Sequence, residues 1–537
     1  MGSGENAIAP LIIAGKCCFL ERWDQHDMPT RTAPVLLLIF DGFGVNPSRA
    51  YNGWARARTP HLDYYFATNP HTVLQASGLS VGLPDGQFGN SEVGHLTLGC
   101  GRILKQDLLR VTESLADGSF ARIAHWQQML QGAKRLHLVG LVSDGGVHSH
   151  ITHLLAMLPL VVHAGVEPVI HMITDGRDTP PQCADRFVIQ VEAALRALGR
   201  GRIATISGRY YAMDRANMWE RTKKAWTAMI LGQGVSAATA TAAIAQAWDS
   251  GTGDEFILPT IIGNPDQSRM AAHEPVLFFN FRADRMRQLV ASVGSAAFSG
   301  FDRLNEPPRP ITCLTQYDDH FPFSVLFPPE IPEKVLAQVL ADTGHRQFHC
   351  AESEKSAHVT YFFNGGRQEP FPGEDRVIVP SPQVTTYDLR PEMSAPQVAD
   401  RVIAAIKSGQ YDFILVNLAN GDMVGHTANI PAILRAVESL DLQSHRMIRA
   451  ALAGGFRILL TADHGNCDEM VDPVSGTPHT QHTAYPVPCL LVGMPHAKLG
   501  TGRSLADVAP TILDLMGIPV PPQMSGHSML LKQGSDG

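Results

Sequence analysis

The feature that most constrains this 537-residue chain is a set of short, unbroken apolar runs that each end in a polar turn. VLLLIF at 35–40 runs into Asp41-Gly42, FILVN at 413–417 runs toward Asp422, and RILLT at 457–461 runs into Asp463-His464. The run at 136–142 ends at Ser143-Asp144-Gly145-Gly146, and that at 166–173 ends at Asp175-Gly176-Arg177-Asp178. A strand apolar on both faces belongs inside a sheet covered by helices. Helical patterns over 149–164, 183–198 and 430–452 separate the runs, so the chain reads as α/β with mainly parallel sheets. Ligands of such sheets gather beyond the carboxyl ends of the strands, where each candidate ligand below falls.

The chain is long enough for two or three domains. Hydrophobic content of 44% against 18% charged residues supports a large core. The candidate metal-binding residues fall in two separated blocks, 34–105 and 330–530, and 106–329 between them carries its own strands and most of the motif arginines. The simplest arrangement is one domain inserted into another, with proline-rich 321–332 as one link. Residues 1–33 precede the first strand as an extension expected to be disordered, and Met28 is a plausible natural start. A net charge of -8 argues against general nucleic-acid binding, so anion affinity must come from clustered Arg and Lys. No apolar run reaches the ~18 residues of a membrane helix. The eight cysteines show no CxxC pair, which suits a reduced, cytoplasmic chain.

Asp422-x-x-x-His426 places two ligands one helical turn apart, although such pairs are more often plain surface pairs. Asp463 and His464 at a strand end can diverge toward two cations. His479 and His482 share the loop PHTQHT, where either could simply be solvated. Carboxylate and imidazole donors without cysteine suit Mn²⁺ or Zn²⁺ and disfavour a structural zinc. Ser91 lies in GNSEVGH at 89–95, a pattern that fits a helix N-cap and also a nucleophile at a phosphate-binding helix start. Arg177, Arg209, Arg215, Arg282, Arg285 and Lys355 supply cations for carboxylate and phosphate oxygens. Arg282-x-x-Arg285 also reads as a solvated helix face. His148, just past a strand and two glycines, is a better site candidate than His150. Together these residues point to metal-assisted chemistry on a phosphate ester with a serine nucleophile.

The stretches LIFDGFG (38–44), GNSEVGHLTLGCGR (89–102), SDGGVHSH (143–150), DGRDTPP (175–181) and SGRYYAMDR (207–215) closely resemble those of the cofactor-independent (2,3-bisphosphoglycerate-independent) phosphoglycerate mutases of the alkaline phosphatase superfamily. FFNFRADR (278–285), EKSAHVTYFFNGG (354–366), DMVGHT (422–427), TADHGN (461–466) and PHTQHT (478–483) extend the resemblance from Val35 to about 530. It implies an alkaline-phosphatase-like domain with an inserted phosphotransferase domain, and two Mn²⁺ ions, with Zn²⁺ or Co²⁺ as substitutes. By position, Asp422, His426 and His482 hold one ion, and Asp41, Ser91, Asp463 and His464 the other. The resemblance makes Ser91 the nucleophile that becomes phosphoserine. It assigns the substrate to His148, Arg177, Asp178, Arg209, Arg215, Arg282, Arg285 and Lys355.

The implied reaction interconverts 3-phosphoglycerate and 2-phosphoglycerate, a step of glycolysis and gluconeogenesis, without 2,3-bisphosphoglycerate. Asp178 and His148 are the candidates for proton transfer. The expected partner is the small-molecule phosphoglycerate, with no nucleic acid or membrane, and the expected state is a monomer. Ala216-Asn217-Met218 and Asn420-Gly421 depart from the family pattern without touching an assigned ligand. A phosphomonoester hydrolase, a sugar-phosphate mutase and a catalytically dead metal-binding protein are the competing readings. The arginine set disfavours the first two, and the intact nucleophile and ligands disfavour the last.

Overall fold

The computed structural model describes residues 33–531, so the extension expected at 1–33 lies, but for its last residue, outside the described residues. Sixteen strands form two sheets. They are β1 (Val35–Phe40), β2 (His71–Gln75), β3 (Arg135–Leu141), β4 (Glu167–Thr174), β5 (Arg202–Gly208), β6 (Val235–Ala237), β7 (Thr260–Ile262), β8 (Val276–Phe278), β9 (Ile311–Thr315), β10 (Ser324–Phe327), β11 (Gln347–Glu352), β12 (Glu374–Val379), β13 (Phe413–Leu418), β14 (Arg457–Ala462), β15 (Val487–Val492) and β16 (Arg503–Ser504). The first sheet has the order β12-β11-β13-β1-β14-β15-β2-β16 and the second β10-β9-β8-β3-β4-β5-β7-β6. Every strand of the second sheet falls between β2 and β11 in the chain, so one α/β unit is inserted into another.

Parallel pairing dominates both sheets. In the first, β1 pairs in parallel with β13 and β14, with Phe40 opposite Leu418 and Ala462. Antiparallel pairs are confined to β14–β15 and β15–β2 there, and to β5–β7 in the second sheet. The side chains of β1 are at most 1% exposed, as expected for a strand with helices on both faces. Helices Ala395–Ser408 and Ile430–Ala453 pack on this sheet and complete its core. Helices Ile151–His163 and Ala184–Leu198 cover the second.

The link expected at 321–332 is shorter than its prolines suggest. Ser324–Phe327 pairs with β9 as an edge strand, and the crossing begins at Pro328. An edge strand leaves one side unpaired, so prolines that donate no hydrogen bond are tolerated beside it. Among the described residues no helix is long and apolar enough to cross a membrane.

Candidate metal centre and the facing cationic cradle

The parallel register of β13, β1 and β14 brings three loops to one edge of the first sheet. Asp41 follows β1 directly, Asp463 and His464 follow β14, and the short helix Asn420–Gly425 after β13 carries Asp422. Gly42 has φ +72, and a Cβ there would lie 2.7 Å from Asp422 backbone atoms, so only glycine lets the β1 and β13 loops meet this closely. Ser91 opens the helix Ser91–Cys100. Asn90 caps that helix by accepting a hydrogen bond from the Val93 N–H at 3.0 Å. The N-cap reading of Ser91 therefore fails, and its hydroxyl is free to face the centre.

The Ser91 Oγ lies 3.1 Å from Asp41 Oδ1 and 2.9 Å from His464 Nε2. The Lys355 ammonium donates to Ser91 Oγ at 2.8 Å, to Asp41 Oδ1 at 2.7 Å and to Asp422 Oδ2 at 2.7 Å. Three histidines are oriented by one device. His426 donates from Nδ1 to the Thr480 carbonyl at 2.7 Å, His464 to Gly465 at 3.2 Å and His482 to Gly89 at 2.9 Å. Each bond fixes the tautomer and turns a bare Nε2 inward, as in imidazoles that ligate metals. Nε2 of His426 and His482 lie 3.2 and 3.1 Å from Asp422 Oδ1 and 3.3 Å from each other. His479 instead contacts the Glu469 carbonyl at 3.1 Å.

Two sets of ligand atoms lie within 4.8 Å of one another, Asp422–His464–His482 and Asp41–His95–Asp463. The grouping differs from the sequence expectation at three histidines, and His426 falls in neither set although its Nε2 lies 3.2 Å from Asp422 Oδ1. The His464 ring stands between the sets, with Nε2 3.5 Å from Asp41 Oδ1 and 3.6 Å from Asp463 Oδ2, and stacks on His482. His95 was not foreseen. Its Nδ1 donates to the Ser91 carbonyl at 2.9 Å and its Nε2 receives Asn417 Nδ2 at 3.0 Å, so it has no free lone pair for a cation. Asn417 also donates to Asp41 Oδ2 at 2.7 Å, which makes His95 and Asn417 an orienting layer behind the carboxylates.

Charge decides what this centre accepts. Asp41, Asp422 and Asp463 are at most 3% exposed and face one ammonium, Lys355. Among the described residues Asp463 Oδ2 accepts no hydrogen bond, because the nearby His95 N–H points at the Ser91 carbonyl. Burial raises the Asp41 pKa, and the Asp463 carboxylate adds to the rise. Against the cost of burial, the Lys355 ammonium is the main influence that holds Asp422 well below the carboxylate range. Uncompensated buried charge is costly, so this all-oxygen-and-nitrogen donor set fits divalent cations.

The second sheet presents the cationic residues at the carboxyl ends of its own strands. Arg209 follows β5, and its Nη1 donates to Asp175 Oδ1 and Asp178 Oδ2, both at 2.6 Å. Arg215 Nη1 donates to Asp284 Oδ2 at 2.7 Å, and Arg282 Nε lies 3.2 Å from Asp284 Oδ1. Arg285 Nη1 donates to the Met213 carbonyl at 3.2 Å, and Arg177 lies 3.8 Å from Glu255. Arg282 and Arg285 sit in the loop between β8 and the helix Arg287–Gly294, not on a helix face. His148 lies between Asp178 at 3.8 Å and Asp284 at 3.9 Å. Burial, with Arg209 adding to it, lowers its pKa to about 4, so the ring is neutral. Asp175 and Asp284 were missed as single residues, although both stand among arginines inside the motifs DGRD and FRADR.

The two halves face each other across one cleft of about 710 Å³. Ser91, Asp422, His426 and His482 line one side, and Gly146, Phe281, Arg282 and Gln316 the other.

The chain matches the metalloenzyme superfamily model over residues 33–520. It is 50% identical over 508 residues to a 2,3-bisphosphoglycerate-independent phosphoglycerate mutase of Symbiobacterium thermophilum, which covers 93% of this chain and 98% of that one. It is 48% identical over 506 residues to the protein of the same name from Syntrophotalea carbinolica, with the same coverage of 93% and 98%. A phosphoglycerate mutase of Leishmania mexicana, solved at low cobalt concentration, aligns with a TM-score of 0.65 at 30% identity over 94% of this chain and 98% of that one. A serine hydroxyl set among buried carboxylates and inward-turned imidazoles, together with this near-full-length similarity, places the chain in the 2,3-bisphosphoglycerate-independent phosphoglycerate mutase family of the metalloenzyme superfamily.

Proposed function

We propose that the protein interconverts 3-phosphoglycerate and 2-phosphoglycerate through a phosphoserine at Ser91, with two divalent cations and no 2,3-bisphosphoglycerate. The observation that carries this reading is the Ser91 hydroxyl, 2.9 Å from His464 Nε2 and 2.8 Å from the Lys355 ammonium, in a cleft whose other wall is the arginine loop. Asp422, His426 and His482 are assigned to one cation, and Asp41, Ser91, Asp463 and His464 to the other. Mn²⁺ is the proposed metal, with Zn²⁺ or Co²⁺ as substitutes. Bound there, the cations neutralise phosphoryl oxygens and lower the pKa of the serine hydroxyl.

Ser91 Oγ, ionised before attack, bonds to phosphorus as the bond to the 3-oxygen of glycerate breaks, and Lys355 donates to the phosphoryl oxygens. The departing 3-oxygen takes up its proton through His148 and Asp178, which relay it from the 2-hydroxyl. Arg177, Arg209, Arg215, Arg282 and Arg285 retain glycerate while it reorients. Its 2-oxygen, freed of that proton, attacks the phosphoserine, which frees Ser91 and forms 2-phosphoglycerate.

Residues 34–105 with 330–530 are proposed as the metal-binding domain and 106–329 as the substrate domain, closing about the two crossings. One chain supplies both walls, so a monomer suffices. The six described cysteines are free and buried, which suits the reducing cytoplasm. Turnover of 3-phosphoglycerate with Mn²⁺ and no added bisphosphoglycerate tests the reading. Release of free phosphate without 2-phosphoglycerate would make the protein a hydrolase, and no turnover with any divalent cation would refute catalysis.

A further inference from the structure

Asp175 is 2% exposed, and no step above uses it. It follows β4 and accepts from four donors on its own and neighbouring loops. Ser143, beyond β3, donates its hydroxyl to Asp175 Oδ2 at 2.7 Å. The backbone N–H groups of Arg177 and Asp178 donate to Oδ1 at 3.2 and 3.0 Å. Arg209 Nη1 donates to the same Oδ1 at 2.6 Å. One carboxylate thereby ties the ends of three adjacent parallel strands, and its burial holds it back from the cleft.

The consequence falls on Arg209. Both of its hydrogen bonds leave from Nη1, to Asp175 and Asp178. Its Nε is buried and makes no hydrogen bond among the described residues. The guanidinium is pinned by Nη1, and Nη2, unlike the buried Nε, is left on its free edge to meet a carboxylate or phosphate oxygen. Asp178 alone cannot fix this pose. It is the more exposed of the two acids and lies on the loop that Asp175 itself holds.

We infer that Asp175 is a positioning residue for the mutase reaction, holding Arg209 so that its free edge meets the oxygens of glycerate. The inference rests on the reading of Arg209 as a substrate contact.

The test is a double-mutant cycle of Asp175→Asn and Arg209→Ala with Mn²⁺ and 3-phosphoglycerate, reading KM, kcat and free phosphate released per 2-phosphoglycerate formed. Asp175→Asn should raise KM by roughly tenfold or more and increase the released phosphate, as Arg209→Ala does. Added to Arg209→Ala, it should change kcat/KM by less than about twofold, because both remove one interaction. Full multiplicative loss in the double variant would mean a structural role and overturn the inference. Wild-type kinetics for Asp175→Asn beside an impaired Arg209→Ala would overturn it while leaving the substrate role of Arg209 intact. An unimpaired Arg209→Ala would overturn that role and the inference with it. If Asp175→Asn does not fold, Ser143→Ala decides. It keeps every charge, should produce a smaller loss of the same kind, and should add nothing to Arg209→Ala. Equal losses in both backgrounds would refute the proposal.

Discussion

The Lys355 ammonium donates to the Ser91 hydroxyl at 2.8 Å inside a pocket of carboxylates. The serine hydrogen must therefore point at Asp41 or His464, and an oxygen lone pair faces the ammonium. A group that attacks phosphorus beside a fixed cation gains most in the transition state, where charge on the phosphoryl oxygens is shared with that cation. Lys355→Met should lower kcat by about 10²–10³-fold with a smaller change in KM, the usual loss for a donor of this kind. Ser91→Ala should abolish isomerisation. Steady-state kinetics check both, and residual isomerisation by Ser91→Ala would rule out the phosphoserine route.

Three buried carboxylates share one buried ammonium, so cations should support the fold as well as the chemistry. Exhaustive chelation should abolish turnover and lower the apparent Tm, and Mn²⁺ should restore both. Undiminished activity after chelation would contradict the proposed centre.

The sequence disclosed the sheets through their most buried strands. The apolar runs at 35–40, 413–417 and 457–461 can only be central, and they became the three adjacent strands whose ends carry Asp41, Asp422 and Asp463. Short edge strands such as Ser324–Phe327 escaped because two of its residues are half-exposed and prolines flank it. His95 and Asn417 escaped for another reason. One lies within a helix and the other at the end of a strand with no local sign of what they touch, and only the packing of the helix Ser91–Cys100 on β13 brings them together. Asn90, not Ser91, proved to be the helix cap, and both residue types satisfy the capping pattern.

The histidines of the inserted unit make acid stability a separate test. His153 is buried and its pKa falls to about 4, and that of His148 also falls to about 4, both chiefly through burial. His137 and His171 are also lowered by burial, in a buried chain where His137 Nδ1 lies 2.9 Å from His171 Nε2 and His137 Nε2 lies 2.9 Å from Glu274. A histidine lowered in the native state binds a proton more readily when unfolded. Its stabilisation is complete above the unfolded value of about 6.5 and is lost as pH falls toward the native value. The apparent Tm should therefore decline from pH 6.5 toward pH 4, and His153→Gln should flatten the decline. A Tm independent of pH across this window would show that these rings take up protons as readily in the native state as in the unfolded chain.

A close backbone approach at the centre sets opposing effects against each other at Gly94. This residue lies one turn beyond Ser91 in the helix Ser91–Cys100. Alanine is the better helix former by up to about 1 kcal/mol, so helix propensity alone predicts that Gly94→Ala stabilises. A Cβ at Gly94, however, would lie 2.7 Å from the Asp463 carbonyl oxygen and 2.8 Å from Asp463 Cβ. The oxygen is backbone, so the helix or the β14 loop must move. Either movement shifts Ser91 relative to Asp463 and His464, and ligand spacing is the property a metal site tolerates least. Contact should prevail over propensity. Gly94→Ala should keep its helical circular dichroism, raise the Mn²⁺ concentration for half-maximal activity by roughly tenfold or more, and lower kcat at saturating metal. Titration of Mn²⁺ into the chelated variant beside wild type measures this directly. Unchanged half-activation would show that the centre absorbs the displacement and that the approach at Gly94 does not set the ligand geometry.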